Sequence, residues 1–348
     1  MTPAVRVGVC EYPTAPWNFG GKERRIRALA EALRALGATV SWLHPESRLQ
    51  PADVDILQLF GAEYYQLEAV LRAKAAGVRV CLFPILVARH RRHLLLHRVW
   101  KLVDPLCPVT STHRLQQRVL RHASMLFFAS DNERQDARRL FGGSLPPWRV
   151  IPSTVSPHFA EATPREFQQR HAARDFILAV GRIERRKNPL ALLRAARLLD
   201  APVVFVGALE DRESAYMRRF REEAASYPQC CLLPFMEPDS TLLASTYAAA
   251  AVHVLPSDHE TAGLSNIEAL LAGTPVVTTD SPSIRACVHP YAHYAKPGSP
   301  GSLAAAIERA QGSSLHHGAR EHILATRTHP RAAALLLEAY RELLEGRA

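Results

Sequence analysis

The sequence predicts an α/β protein of two doubly wound parallel sheets, and three features carry that expectation. Apolar or β-branched runs alternate with helical-period segments roughly ten times along the 348 residues. The alternation pauses once, at residues 152–172, where Pro152, Pro157 and Pro164 and an absence of periodicity read as a linker between domains. Gly-containing or charged loops follow the strand runs on both sides of that pause, and open parallel sheets collect their ligands at such strand ends. A single barrel would not be interrupted in this way, so two sheets are expected. The expected bounds are 1–155 and 156–330, with a final helix, 331–348, packing back towards the first domain.

In the first domain Val5–Cys10 is the opening strand. A loop ending in Asn18-Phe19-Gly20-Gly21 follows, then a helix with Ile26, Leu29, Leu33 and Leu36 on one face and Gly37 as its stop. Strand, glycine pair and helix start together let backbone amides approach an anion, although a glycine pair is also an ordinary turn. Thr39–Leu43 and Asp55–Phe60 are the next strands. Asp53-Val54-Asp55 opens a strand instead of closing one, so it reads as a solvated strand entry and not as a metal-binding pair. Leu67–Ala76 is helical and Val78–Phe83 a strand. Residues 89–103, RHRRHLLLHRVWKLV, are the most basic stretch. Leu95, Val99 and Leu102 form one helical stripe, and Arg89, Arg91, Arg92, Arg98 and Lys101 supply charge. A surface helix with a solvated cationic face and a helix lying on an anionic membrane both fit that pattern. His90, His93 and His97 share helical spacing but have no Cys or carboxylate to complete a metal set. Met125–Ala129 and Trp148–Ile151 complete the strands, with Asp131–Phe141 helical between them.

The second domain restarts the pattern. Phe176–Val180 runs into the basic loop Gly181–Lys187 and a helix beginning at Asn188-Pro189. Val203–Val206, Cys230–Leu233, Val252–Leu255 and Pro275–Thr278 are further strands, and Ala332–Leu344 is the last amphipathic helix.

Hydrophobic content of 47% with 22% charged residues describes a soluble globular chain. No apolar run approaches a membrane span, and no cationic segment precedes a long apolar one at the amino terminus, so the expectation is a cytoplasmic protein. The six cysteines show neither metal-ligand spacing nor a disulfide framework and are expected as reduced, mostly buried thiols. A formal charge of +10 implies an anionic partner. Phosphorylated small molecules and an anionic membrane face fit better than nucleic acid. Aromatics are only 7% and nowhere interleave with the basic residues as in a single-strand platform.

The chemistry concentrates in AVHVLPSDHETAGLSNIEALLAGTPVVTT, residues 251–279. A buried strand ends in a polar loop carrying Glu260, and a short helix follows with Glu268 on the face shared by Leu264 and Leu271. An inward carboxylate needs a partner. Ser265 and Glu268 also fit a capping box, in which the glutamate serves only the helix start. The loop Gly181-Arg182-Ile183-Glu184-Arg185-Arg186-Lys187-Asn188 suits an anionic diphosphate, with an Arg fork and a Lys point charge clamping two phosphoryl groups without a metal. Taken alone it reads better as a solvated charge run.

Together these residues resemble the retaining glycosyltransferases of family 4, also called group 1, which have the two-domain GT-B fold. The likeness is carried by FILAVGRIERRKNP, by YAAAAVHVLPSDHETAGLSNIEALLAGTPVVTTD and by YAKPGSPGSLAAAI, joined to the Gly20-Gly21 loop; Ser130 with Glu133 and VIPSTVSPHF also look like the family. The resemblance implies two Rossmann-like lobes facing across a cleft, an acceptor domain first and a nucleotide-sugar domain second. It implies a nucleoside-diphosphate sugar donor, a glycan or lipid-linked acceptor, no cofactor and no metal ion. Arg182 and Lys187 would hold the diphosphate and stabilise its growing charge, and Glu260 would meet the donor sugar's hydroxyls. Glu268 would bind the ribose, and the amides of Ala262, Gly263, Leu264 and Ser265 would meet sugar and phosphate. Gly20 and Gly21 would approach the phosphates from the other domain, and Pro234 to Met236 would form a nucleobase wall. Surface polysaccharide or glycoconjugate synthesis is the implied setting, on the inner face of the cell membrane if residues 89–103 dock there.

The chain departs from the family in two places. Many members carry a His after the fourth strand of the first domain, where this chain reads Leu82-Phe83-Pro84-Ile85, and the interdomain Asn-Gly turn is Ser153-Thr154. The first departure puts one donor-sugar contact in doubt. Two other readings therefore stand beside the transferase: a sugar-nucleotide-binding regulator or scaffold, and another enzyme on the same fold, such as an epimerase or a phosphorylase.

Overall fold

The computed structural model describes residues 4–10, 21–43, 50–86, 111–142, 144–171, 173–210 and 214–347. The chain divides into two compact units. One holds the residues up to Thr154 together with those from His329 onwards, and the other is Val155–Thr328.

The first unit is built on a six-stranded parallel sheet. Its strands are β1 (Arg6–Cys10), β2 (Thr39–Leu43), β3 (Ile56–Phe60), β4 (Arg79–Phe83), β5 (Met125–Phe128) and β6 (Trp148–Val150), in the order β2-β1-β3-β4-β5-β6. β3 and β5 are buried at every residue, as strands covered by helices on both faces must be. The helix Gly21–Ala35 buries Ile26, Leu29 and Leu33 on one side. Leu36 does not join that face: the helix closes at Ala35, and Leu36 is 43% exposed in the turn that follows. The last helix, His329–Leu344, packs on Gly21–Ala35. Its Tyr340 is fully buried and donates to Gln58 Oε1 at 2.6 Å, which satisfies a polar side chain inside β3.

The second unit repeats the plan. β7 (Ile177–Val180), β8 (Val203–Val206), β9 (Cys230–Leu233), β10 (Val252–Leu255), β11 (Val276–Thr279) and β12 (His293–Ala295) form a parallel sheet in the order β12-β11-β10-β7-β8-β9. The fold class expected from the sequence, two doubly wound parallel sheets, is the one observed.

Two expectations need correction. Residues 152–172 do hold the passage between the units, at Thr154–Val155, but most of them belong to the second unit and carry regular structure: a 3₁₀ turn, Pro157–Glu161, and a helix, Arg165–His171. Each buries one aromatic ring, Phe159 and Phe167, in the second unit's core, and Phe167 N donates to Ser245 Oγ at 2.9 Å. Elements this short carry one anchor each, so no period is visible in the sequence. The described cysteines are all free, yet only Cys81 and Cys287 are buried. Cys230 and Cys231 lie on the edge strand β9, where one face of the ladder has no covering strand. Residues 89–103 lie outside the described residues. Among the described residues no helix is long and apolar enough to cross a membrane.

Candidate functional site

The site of the second unit begins where β7 ends. Gly181 N donates to Val206 O at 2.9 Å, and Gly207 packs directly on it: a Cβ on Gly207 would stand 2.1 Å from Gly181 O. With φ at +148°, Gly207 also has a backbone that other residues resist. This close approach fixes the loop after β7. Ile183 is buried and bridges to Leu209, donating to Ala208 O and accepting from Glu210 N. Arg185–Lys187 form a 3₁₀ turn, and Asn188, left-handed at φ 50°, leads into the helix Pro189–Leu198.

Asn188 ties this loop to the one after β10. Its Nδ2 donates to Pro256 O at 2.9 Å and to Asp258 Oδ1 at 2.7 Å, while Asp258 N donates to Arg186 O at 2.9 Å. The two loops therefore behave as one rim. Glu260 is held on that rim by Lys187 Nζ and by Arg186 Nη1, the latter at 3.1 Å. Arg186 in turn grips Glu184 at 2.7 Å and the carbonyl of His259 at 2.8 Å. Burial opposes ionisation of Glu260, but Lys187 and Arg186 outweigh it and hold its carboxyl below the usual range. The same competition leaves Arg186 raised: burial lowers it, and Glu260 with Glu184 more than compensates. Arg182 is exposed on the rim, and it lines with Gly181, Lys187 and Pro256 a shallow pocket open to solvent.

The loop that carries Glu260 runs on into the helix Leu264–Ala272. That helix is preceded by Gly263, whose φ is +58° and whose absent Cβ would lie 2.8 Å from Ile284 Cδ1 and 2.9 Å from Asn266 Nδ2, so only glycine fits. Ala262 is buried; Leu264 and Ser265 are half-buried at the helix start, where unpaired amides and the helix dipole favour an anion. Glu268, one turn further on and half-buried, accepts from the Tyr247 hydroxyl at 2.7 Å. The capping box is absent: Gly263 is the cap residue and no side chain caps the helix. Below lies His253 of β10, fully buried, with burial and the Lys187 ammonium pushing its pKa down to about 3. It is a neutral floor, not a titrating one at neutral pH.

The arrangement brings Lys187 and Glu260 into contact, sets Arg182 beside Lys187 on one pocket, and places Ala262, Gly263, Leu264, Ser265 and Glu268 along one helix start. Gly21 opens the helix Gly21–Ala35 of the first unit. Gly20 lies outside the described residues. At Pro234 to Met236, Phe235 is 51% exposed and Met236 Sδ accepts from the Thr246 hydroxyl at 3.7 Å. In the first unit, Ile85 has a left-handed backbone at φ 50°, rare for a β-branched residue, where the sequence lacks the expected His. Leu86 N beside it donates to Glu133. Sequence reasoning missed Arg186, Asn188, Asp258 and Tyr247. Arg186 stood in the basic loop without a role, and nothing in the pattern marked the others. Among the described residues no group of three or more His, Cys, Asp or Glu is placed to hold a metal ion.

Comparison with known proteins points the same way. Residues 163–318 match the family model of the group 1 glycosyl transferases. A D-inositol 3-phosphate glycosyltransferase of Catenulispora acidiphila is 34% identical over 181 residues, which cover 47% of this chain and 41% of that one. This chain spans under half the length of the first curated relatives it matches. The fold is shared with sucrose-phosphate synthase from Thermosynechococcus elongatus at a TM-score of 0.77 and 19% identity, covering 98% of this chain and 100% of that one. It is also shared with Anabaena HepE in complex with UDP, at 0.74 and 14% identity, over 97% and 100% of the two chains. At such identities these likenesses concern the fold alone.

Proposed function

We propose that the protein is a retaining glycosyltransferase of family 4 that moves a sugar from a nucleoside-diphosphate sugar to a glycan or lipid-linked acceptor without a metal ion. The observation that carries this is the rim on which Lys187 meets Glu260 and shares a pocket with Arg182. Departure of a nucleoside diphosphate leaves growing negative charge on the phosphate oxygens, and fixed cations in a partly desolvated pocket stabilise it best. Arg182 supplies a planar fork and Lys187 a compact ammonium. Glu260, ionised between two cations, is suited to accept hydrogen bonds from a sugar's hydroxyls, and Glu268 from a ribose. The match to the group 1 model across residues 163–318 supports the same assignment, as do the names of the relatives. One of those names, a D-inositol 3-phosphate glycosyltransferase, adds phosphorylated polyols to the acceptor classes worth testing. The basic stretch 89–103 supports a cytoplasmic protein that meets a lipid-linked acceptor at an anionic membrane face, in polysaccharide or glycoconjugate synthesis.

Titration calorimetry with UDP, GDP, ADP and dTDP in EDTA, followed by donor hydrolysis assays, tests the reading. The wild type should bind one of them without metal, and Arg182→Ala/Lys187→Ala should weaken that binding about a hundredfold and abolish turnover. Binding that needs added magnesium or manganese, or a double variant indistinguishable from wild type, overturns it.

A further inference from the structure

Glu268 is held by a residue that no motif marks. We propose that Tyr247 is a positioning residue for nucleotide recognition: its hydroxyl fixes the Glu268 carboxylate in the direction that tells a ribose from a 2′-deoxyribose. The inference rests on reading this rim as a nucleoside-diphosphate site.

Tyr247 is built to stay still. It is fully buried in the helix Thr241–Ala249, with its ring meeting Phe159 edge-on at 5.7 Å and His253 edge-on at 5.4 Å. Its carbonyl accepts from Thr274 Oγ1 at 2.7 Å, which locks the helix end to the turn before β11. Glu268 is the opposite case. It is half-buried on the helix Leu264–Ala272 and has three rotatable bonds, so a fixed donor narrows the rotamers it can take. A hydroxyl donated at 2.7 Å from a rigid ring selects one of them. Hydrogen bonds to an ionised acceptor are the stronger kind, and a site shaped around a substrate hydroxyl discriminates against the analogue that lacks it. Tyr247 is buried beneath the carboxylate, and its proposed effect runs through Glu268, which makes its role one of positioning.

The test is calorimetry on the whole chain with matched pairs: UDP and dUDP, ADP and dADP, GDP and dGDP. The wild type should prefer the ribonucleotide of its best base. Tyr247→Phe keeps the ring and should lose about tenfold in affinity for that ribonucleotide, with under about twofold change for the deoxy form. In Glu268→Ala, which removes the acceptor, adding Tyr247→Phe should change nothing further. Glu268→Asp, too short to reach the hydroxyl, should compress the ribose preference in the same way. Equal weakening of both nucleotides by Tyr247→Phe, or an additive loss in the Glu268→Ala background, overturns the inference and leaves Tyr247 a packing residue. A wild type that binds nucleotide without preferring ribose overturns it too and leaves the nucleotide site standing. A wild type that binds neither dTDP nor any of the six overturns both.

Discussion

Ser130-Asp131-Asn132-Glu133 in the first unit and Ser265-Asn266-Ile267-Glu268 in the second share one spacing, and the protein uses them in opposite ways. Ser130 has an extended backbone and its Oγ accepts from Glu133 N at 3.3 Å. Glu133 turns back to accept from Ala129 N at 2.6 Å and from Leu86 N at 2.8 Å. Burial drives its carboxyl above the usual range, and those two amides only partly offset it. In the second unit the helix starts at Leu264, one residue before the serine, so Ser265 is already inside it and caps nothing. Glu268 instead accepts from a side-chain donor, Tyr247, as Glu260 does from Lys187 and Arg186. A carboxylate engaged by backbone amides belongs to the fold. One engaged by side chains can exchange them for a ligand.

The largest effect that sharpens this contrast is catalytic. Lys187→Ala should lower turnover by over about a hundredfold, near 3 kcal/mol of transition-state stabilisation, with Arg186 left as the cation on Glu260 and a smaller loss of stability beside it. Steady-state kinetics beside denaturation curves would show it. Turnover within threefold of wild type would break the idea that side-chain-held carboxylates mark the working site.

Glu133→Ala should do the reverse. It strips two half-buried amides of their acceptor and should cost about 1–2 kcal/mol of stability, with nucleotide affinity unchanged. Urea denaturation followed by calorimetry on the folded variant checks both halves. A variant as stable as wild type would mean that water replaces the carboxylate there.

A third difference lies inside the sheets. Each buries a polar side chain within a strand: Gln58 in β3, satisfied by Tyr340, and His253 in β10. Only the second can titrate. Its folded pKa of about 3 lies below the ordinary 6.5, so the unfolded chain binds the extra proton between those values. Stability is therefore full above about pH 6.5 and falls as the pH drops towards 3, by up to ~1.4 kcal/mol per pH unit. At pH 5 this amounts to roughly 2 kcal/mol, and His253→Gln should remove that part of the slope. Urea curves at pH 7 and pH 5 for both proteins would show it, and parallel slopes would contradict it.

The strands were legible in the sequence because buried parallel strands are unbroken apolar runs, as Ile56–Phe60 and Met125–Phe128 are. Residues 152–172 were not, since their helix carries a single anchor, Phe167. In the site, Glu260, Lys187 and Gly263 were named from spacing and resemblance, but the role of Arg186 was hidden. It depends on a 3₁₀ turn that aims the guanidinium at a carboxylate 74 positions away. Tyr247 reads in sequence as one more core aromatic, and only the geometry shows where its hydroxyl goes.

The smallest effect is the most direct test of the contrast, because it changes the same atom in both motifs. Ser130→Ala removes a hydroxyl that accepts from a helix amide and should cost ~1 kcal/mol, the usual worth of a cap. Ser265→Ala removes a hydroxyl that caps nothing, and alanine is a better helix former than serine, so stability should change by less than about 0.5 kcal/mol. Ser265 sits at the helix start beside the proposed phosphate position, so its removal should appear in nucleotide affinity, as a loss of a few-fold, instead of in the urea midpoint. Denaturation and calorimetry on the two single variants separate the cases. If Ser265→Ala proves as destabilising as Ser130→Ala, the helix at 264 is being capped after all, and Glu268 returns to the fold.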